Sequence, residues 1–273
     1  QPVELAVIAT PPQTVPGIIE DCGNHGVKAA VIITAGFGET GPQGLALEKA
    51  VLGNAQLHGI RLIGPNCLGV MRPSIGLNAT FNKGGANSGN LAFVSQSGAL
   101  CTAILDWAQS NDVGFSSVVS MGSSADVDFG EILDYLVSDV KTQSILMYIE
   151  GIRDARRFMS ALRATARLKP VVLVKVGRHE AGSKAVASHT GALVGSDAVF
   201  DALVRRAGVV RVTSILQLFA SARALSSHIT PTGGRLVIVT NGGGPGVMAT
   251  DRAVDLGVAL AELGPETMDK LNA

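Results

Sequence analysis

Short apolar runs alternate with longer stretches of helical spacing along nearly the whole chain, which predicts repeated strand–helix–strand units and parallel sheets. Leu5-Ala-Val-Ile-Ala9, Ala29-Ala-Val-Ile-Ile-Thr34 and Arg61-Leu-Ile63 form a first set of expected strands. Leu91-Ala-Phe-Val94, Ser117-Val-Val-Ser120, Ile145-Leu-Met-Tyr-Ile149 and Val171-Val-Leu-Val174 form a second. These runs are short and largely apolar, as expected of strands covered on both faces. After Ser97, the positions Leu100, Ile104, Trp107 and Ala108 recur at helical spacing and predict a helix. Another is expected from Ser196-Asp197 through Arg205.

Between the two strand sets, Asn82-Lys-Gly-Gly-Ala-Asn-Ser-Gly89 is too polar and glycine-rich to pack and reads as a linker. A second break falls at Thr230-Pro-Thr-Gly-Gly234, before a fresh strand at Arg235-Leu-Val-Ile-Val-Thr240. The expected domains are therefore 1–85, 86–230 and 231–273, the last too short to close a sheet. The first lacks the glycine-rich strand-to-helix turn of a mononucleotide fold. The chain also enters a strand directly after Gln1-Pro2-Val3, with no Met or leader, so a fragment of a longer polypeptide is expected.

Composition narrows the class further. With 273 residues, 47% of them hydrophobic and only 4% aromatic, the chain has the make-up of layered strands and helices rather than an all-β domain. Lys plus Arg and Asp plus Glu number 22 each, so the net charge is zero and no basic stripe points to nucleic acid. No apolar run approaches the roughly twenty residues that cross a bilayer, so no membrane association is expected. Cys22, Cys67 and Cys101 share no metal-ligand spacing and read as reduced thiols of a cytoplasmic protein, with no metal site.

Candidate chemistry gathers where parallel strands end, since open α/β sheets bind ligands at their carboxyl edge. The stretch from Gly177 to Ser196 is rich in Gly, Ala and Ser and carries His189. It is far longer than the about two to six residues that a strand-to-helix connection needs, which marks a working loop. Ser95-Gln96-Ser97-Gly98 opens a helix whose N–H groups and dipole suit an anion, although Ser97 is equally an ordinary helix cap. Glu150, at a strand tip, would orient an imidazole by accepting its ring N–H, or else stand in solvent or pair with Arg153.

Gly64-Pro65-Asn66-Cys67-Leu68-Gly69 offers an amide and a thiol to a small carboxylate or acyl group, or is simply a rigid turn. Thr10-Pro11-Pro12 and Thr34-Ala35-Gly36-Phe37-Gly38-Glu39 follow two strands of the first set, and composition alone leaves their role open. The aspartates of Ser120-Met-Gly-Ser-Ser-Ala-Asp126-Val-Asp128 are read as capping groups rather than metal ligands. Gly242-Gly-Gly-Pro-Gly246 lacks the spacing of a dinucleotide loop, and His25, His58 and His228 read as solvated or satisfied.

Taken in order, Gly64-Pro-Asn-Cys67, Ser95-Gln-Ser-Gly98, Glu150 and Ser188-His-Thr-Gly-Ala-Leu193 resemble the NDP-forming acyl-CoA synthetases, a family similar to the succinyl-CoA synthetase α subunit. The resemblance implies an α/β fold: a partial Rossmann-like CoA-binding domain, a flavodoxin-like ligase domain and the start of a second flavodoxin-like domain. It implies that His189 is phosphorylated, that Glu150 steadies it, and that Ser97 and Gly98 begin the helix holding the phosphate. CoA or substrate contacts are expected at Pro11, Pro12, Thr34, Gly36, Asn66 and Cys67.

The same resemblance implies a small carboxylic acid and CoA as partners, an oligomer, and ATP or ADP with Mg²⁺. The nucleotide would lie on an ATP-grasp domain that this chain lacks, supplied in cis or by another subunit. A similar domain set also occurs fused to protein lysine acetyltransferase domains. That gives the alternative expectation of a regulatory part sensing CoA or acyl-CoA.

Overall fold

Residues 3–182, 196–227 and 232–272 are described by a computed structural model, and the chain divides into two compact units, Gln1–Ser227 and His228–Ala273. In the first unit, β1 (Leu5–Ile8), β2 (Ala29–Ile32) and β3 (Arg61–Ile63) pair in parallel in that order. The crossovers are α1 (Val15–Asn24) and α2 (Pro42–His58). Ile8, Ile19, Ile32, Val51 and Leu62 fill the core between sheet and helices. Because the strands are parallel, the loops after all three gather at one edge.

The second sheet of this unit has seven strands: β4 (Gly69–Arg72), β5 (Leu77–Thr80), β6 (Ser88–Ser95), β7 (Phe115–Ser120), β8 (Ser144–Ile149), β9 (Val171–Lys175) and β10 (Val210–Val212). Their order is β10-β9-β8-β6-β7-β4-β5. From β6 to β10 all pairings are parallel, joined through α3 (Gly98–Gln109), α4 (Phe129–Ser138), α5 (Ala155–Ala166) and α6 (Asp197–Arg206), with α7 (Ile215–Ser226) after β10. Counted from β6, the first strand lies between the second and the third, which is the flavodoxin-like arrangement. Its ligand crevice lies outside the carboxyl ends of the first and third strands, here β6 and β8.

Helices cover both faces, which explains why these strands lack polar alternation. Ala92, Val94, Met147 and Ile149 pack into a core with Phe129, Leu133, Leu162 and Phe200 from α4, α5 and α6. Their neighbours Leu91, Phe93 and Leu146 pack oppositely with Leu100, Ile104 and Leu218 from α3 and α7. Trp107 lies 4.9 Å from Phe219 between ring centroids and closes that side.

The parallel pattern breaks at one edge. β4 and β5 form an antiparallel hairpin, and β4 joins β7 antiparallel through Val70↔Val119 and Met71↔Val118. Gly69 has φ 119°, and a Cβ there would meet the Ala79 carbonyl oxygen at 2.0 Å, so the hairpin requires glycine. The strands therefore change sheet at the turn 64–68, ahead of the polar stretch at 82–89 that reads as a linker in sequence.

Both aspartates of the loop after β7 have structural duties. Asp128 accepts from the Glu131 N–H at 3.0 Å while the Glu131 carboxylate accepts from the Asp128 N–H at 3.4 Å, a capping box on α4. Asp126 accepts from the Leu62 N–H at 2.8 Å and pairs with Arg61 at 3.0 Å.

In the second unit, β11 (Arg235–Leu236) pairs in parallel with β12 (Ala259–Leu260), beside α8 (Gly243–Asp255) and α9 (Pro265–Asn272). The strand expected over 235–240 is two residues long, matching its two-residue partner. Past it, Val239 is 92% exposed. Among the described residues, no helix is long and apolar enough to cross a membrane.

Candidate functional site

The crevice at β6 and β8 collects three of the stretches singled out in sequence. At the end of β6, Ser97 caps α3: its hydroxyl accepts from the Leu100 N–H at 3.3 Å, while Ser95 Oγ accepts from the Ser97 N–H at 3.0 Å. The capping and anion-holding readings are compatible. The first turn of a helix leaves several N–H groups without intrahelical acceptors, and Ser97 satisfies only one of them. Those of Gly98 and Ala99 head a helix whose dipole adds partial positive charge.

Gly98 has no backbone need to be glycine. A Cβ there would touch Leu68 Cβ at 3.5 Å, an ordinary contact. Gly98→Ala is therefore expected to shift Tm by no more than about 2 °C. Affinity for inorganic phosphate, measured by equilibrium dialysis, should fall by about tenfold as the methyl crowds the anion, a loss of about 1.4 kcal/mol. Unchanged phosphate affinity would remove the helix terminus from the site.

Glu150, at the end of β8, is 6% exposed. The Tyr148 hydroxyl bonds to its carboxylate, and burial together with that neighbouring charge pushes the Tyr148 phenol up to about 12. Arg153, a candidate partner in sequence, instead reaches Glu48 Oε1 at 3.2 Å and the Ala125 carbonyl at 3.2 Å. Gln96, which the sequence pattern leaves without a role, joins the two strand ends. Its Oε1 accepts from the Glu150 N–H at 2.7 Å and the Gly151 N–H at 3.0 Å, and its Nε2 donates to the Gly151 carbonyl at 3.0 Å.

The turn at 64–68 supplies the facing wall. Asn66 has φ 57°, and its N–H donates to the Thr34 carbonyl at 2.9 Å. The segment after β7 lies along this turn, with the Ser123 N–H donating to Pro65 O and the Ala125 N–H to Gly64 O, both at 2.9 Å. Gly122 makes the approach possible: it has φ 53°, and a Cβ there would meet the carbonyl oxygens of Pro65 and Asn66 at 2.3 Å each.

Cys67 is 4% exposed and its thiol donates to Ile32 O at 3.3 Å. Burial pushes that thiol up to about 12, so little of the reactive thiolate is present at pH 8. Cys67 thus lines the wall as a small apolar group. Iodoacetamide labelling at pH 8, read by peptide mass spectrometry, should modify Cys22 well before Cys67; equal rates would contradict this burial.

Between these walls lies a cleft of ≈ 430 Å³ that brings together Asn66, Cys67, Ser97 and Gly98, with Gln96 beside them. Its described lining also includes Ile33, Leu68, Phe81, Thr102 and Ser123, and none of its described side chains is charged. Phe81 and Thr102 were not singled out in sequence, because no motif marks them, while Gly122 and Ser123 stand in the loop 120–128, whose aspartates alone were read there. An anion entering here meets a helix terminus and amides rather than a guanidinium or ammonium group.

Pro11, Pro12, Thr34 and Gly36 do not line this cleft, but they form one neighbouring rim. Thr34 Oγ1 donates to Thr10 O at 2.7 Å, and Gly36, with φ 105°, lies against Pro12, whose Cγ would be 2.9 Å from an added Cβ. Asn66 connects rim to cleft through its bond to Thr34. His189 and the rest of Ser188–Leu193 lie outside the described residues. Of the other histidines, His25 Nδ1 bonds Asp21 O at 2.8 Å and His58 packs over Gly23. His228 lies outside the described residues.

Residues 88–225 match the family described as succinyl-CoA ligase like flavodoxin domain, and residues 1–73 match a CoA binding domain. The chain is 45% identical over 269 residues to an acetate–CoA ligase (ADP-forming) I of Archaeoglobus fulgidus, covering 98% of this chain and 39% of that protein. It is also 45% identical over 258 residues to the α subunit of an acetate–CoA ligase (ADP-forming) I of Pyrococcus furiosus, covering 94% of this chain and 56% of that one. Its structure is similar to a dinucleotide-forming acetyl-coenzyme A synthetase 1 of Ca. Korarchaeum cryptofilum in complex with phosphate and ADP. The TM-score is 0.92 at 40% identity, over 99% of this chain and 58% of that one. The chain thus spans 39% to 58% of the length of these relatives.

Proposed function

The chain belongs to the NDP-forming acyl-CoA synthetase family, and from that premise we propose that it is the part of such an enzyme where acid, CoA and phosphate meet. The observation that carries the proposal is the cleft itself, where the amino end of α3 faces the Asn66–Cys67 turn at the switch point of the sheet. High coverage by relatives named as ligases does not favour the alternative of a CoA-sensing part of an acetyltransferase.

In this reading His189 carries the phosphoryl group. A carboxylate oxygen of the acid attacks the phosphorus, the N–P bond breaks, and the electron pair returns to a neutral imidazole, leaving an acyl phosphate. The CoA sulfur then attacks the acyl carbon and the C–O bond to phosphate breaks, giving acyl-CoA and inorganic phosphate. Glu150 holds the imidazole by accepting its ring N–H, and the Gly98 and Ala99 N–H groups hold the phosphate oxygens. Phosphoryl transfer asks for positioning and charge stabilisation more than for covalent chemistry, which suits an uncharged cleft with a helix terminus.

Pro11, Pro12, Thr34, Gly36, Asn66 and Cys67 would contact CoA. ATP or ADP and Mg²⁺ would be bound by an ATP-grasp domain in cis or on a companion subunit. With no cationic group in the described lining, a small monocarboxylate suits the cleft better than an acid with a second charge. Incubating the full-length protein, or its two-subunit complex, with labelled ATP and Mg²⁺ tests the proposal. An acid-labile, base-stable phosphate discharged by acid plus CoA is expected, and its absence would overturn the reading.

A further inference from the structure

We propose that Gln96 is a positioning residue for the phosphoryl-transfer half of this reaction, its side-chain amide fixing Glu150 against the amino end of α3. The inference rests on the roles given above to His189 and Glu150. The backbones of β6 and β8 run side by side up to the pair Ser95↔Tyr148, and a last bond runs from the Gln96 N–H to Tyr148 O at 3.3 Å. There the chains part, one turning into α3 and the other into the turn before α5.

The Gln96 side chain continues the ladder past that point. It accepts from two successive N–H groups, at 2.7 and 3.0 Å, and returns one N–H to the Gly151 carbonyl at 3.0 Å. Only a primary amide of this length offers an acceptor and a donor together in that geometry. Glutamate would keep the two accepted bonds but lose the donated one, set an oxygen against the Gly151 carbonyl, and bring a negative charge beside Glu150. Gln96 therefore links the anion-holding helix to the backbone that carries the Glu150 carboxylate. A mere fold contact would have no reason to separate the two half-reactions.

The half-reactions provide the test. Conversion of acyl phosphate and CoA to acyl-CoA and phosphate uses the cleft but not the imidazole. Phosphorylation of His189 from ATP needs Glu150 in place. In the full-length enzyme, Gln96→Glu and Gln96→Ala are each expected to slow His189 phosphorylation at least tenfold. Gln96 also stands beside the cleft, so the acyl phosphate half-reaction should slow as well, but by at least about threefold less than the phosphorylation.

Adding Gln96→Ala to Glu150→Gln should cost little beyond Glu150→Gln alone, because both act through one group. Equal losses in both half-reactions, or no loss in either, overturn the role. If Gln96→Ala does not fold, Gln96→Glu, which keeps two of the three bonds, carries the test. A wild-type enzyme that takes no phosphate on His189 overturns the functional reading, and this role with it.

Discussion

Replacing His189 with alanine is expected to remove the acid-labile phosphate and to lower ATP-dependent acyl-CoA formation by roughly ten-thousand-fold or more, the scale seen when a covalent nucleophile is deleted. Alanine leaves no ring nitrogen to accept the phosphoryl group, so the two-step path through a covalent intermediate closes. The conversion of acyl phosphate and CoA should survive within about threefold, because sulfur attack at the acyl carbon relies on the cleft and the amino end of α3. Rates of both half-reactions in the same preparation check this. Persistence of the labelled phosphate in His189→Ala would place it on another residue and sink the proposal.

Gly122→Ala is expected to damage the site from its supports. A methyl would meet two carbonyl oxygens of the 64–68 turn at 2.3 Å from a backbone at φ 53°. Left-handed backbone costs a non-glycine residue about 1–2 kcal/mol, and forced overpacking adds about 1–3 kcal/mol. A loss of about 2–5 kcal/mol should lower the melting transition by about 4–20 °C in calorimetry. The turn and the segment after β7 would have to separate, so phosphate and CoA affinity should fall as well. An unchanged transition with unchanged affinity would show that the close approach is not needed.

Much of the second sheet was legible in sequence because its parallel strands are short, largely apolar runs and its helices carry clear spacing. Ser97 was legible because a hydroxyl before an apolar-periodic stretch is a local signal. The β4–β5 hairpin was not, since each strand has four residues and the partner β7 lies far along the chain. Strand order is likewise a property of space, so the switch point at β6 and β8 had no sequence mark. Gln96 escaped for the same reason: its partners are 54 and 55 residues away, and a lone amide between two serines has no period. The turn at 64–68 was seen, but its closeness to Gly122 depends on how two sheets meet.

That meeting has a consequence for how such proteins can be recombined. The hairpin after the turn belongs by pairing to the seven-stranded sheet, and the turn itself is bonded to the segment after β7. A hybrid of two relatives joined at the polar stretch 82–89 would place β4 and its neighbour β7 under different parentage. Every side chain across that seam would then have to match by chance. A junction ahead of Gly64 keeps the hairpin, the turn and the Gly122 segment in one inheritance, and the bonds it divides include those of Ile32 with Cys67, Thr34 with Asn66, Glu48 with Arg153, and Arg61 and Leu62 with Asp126.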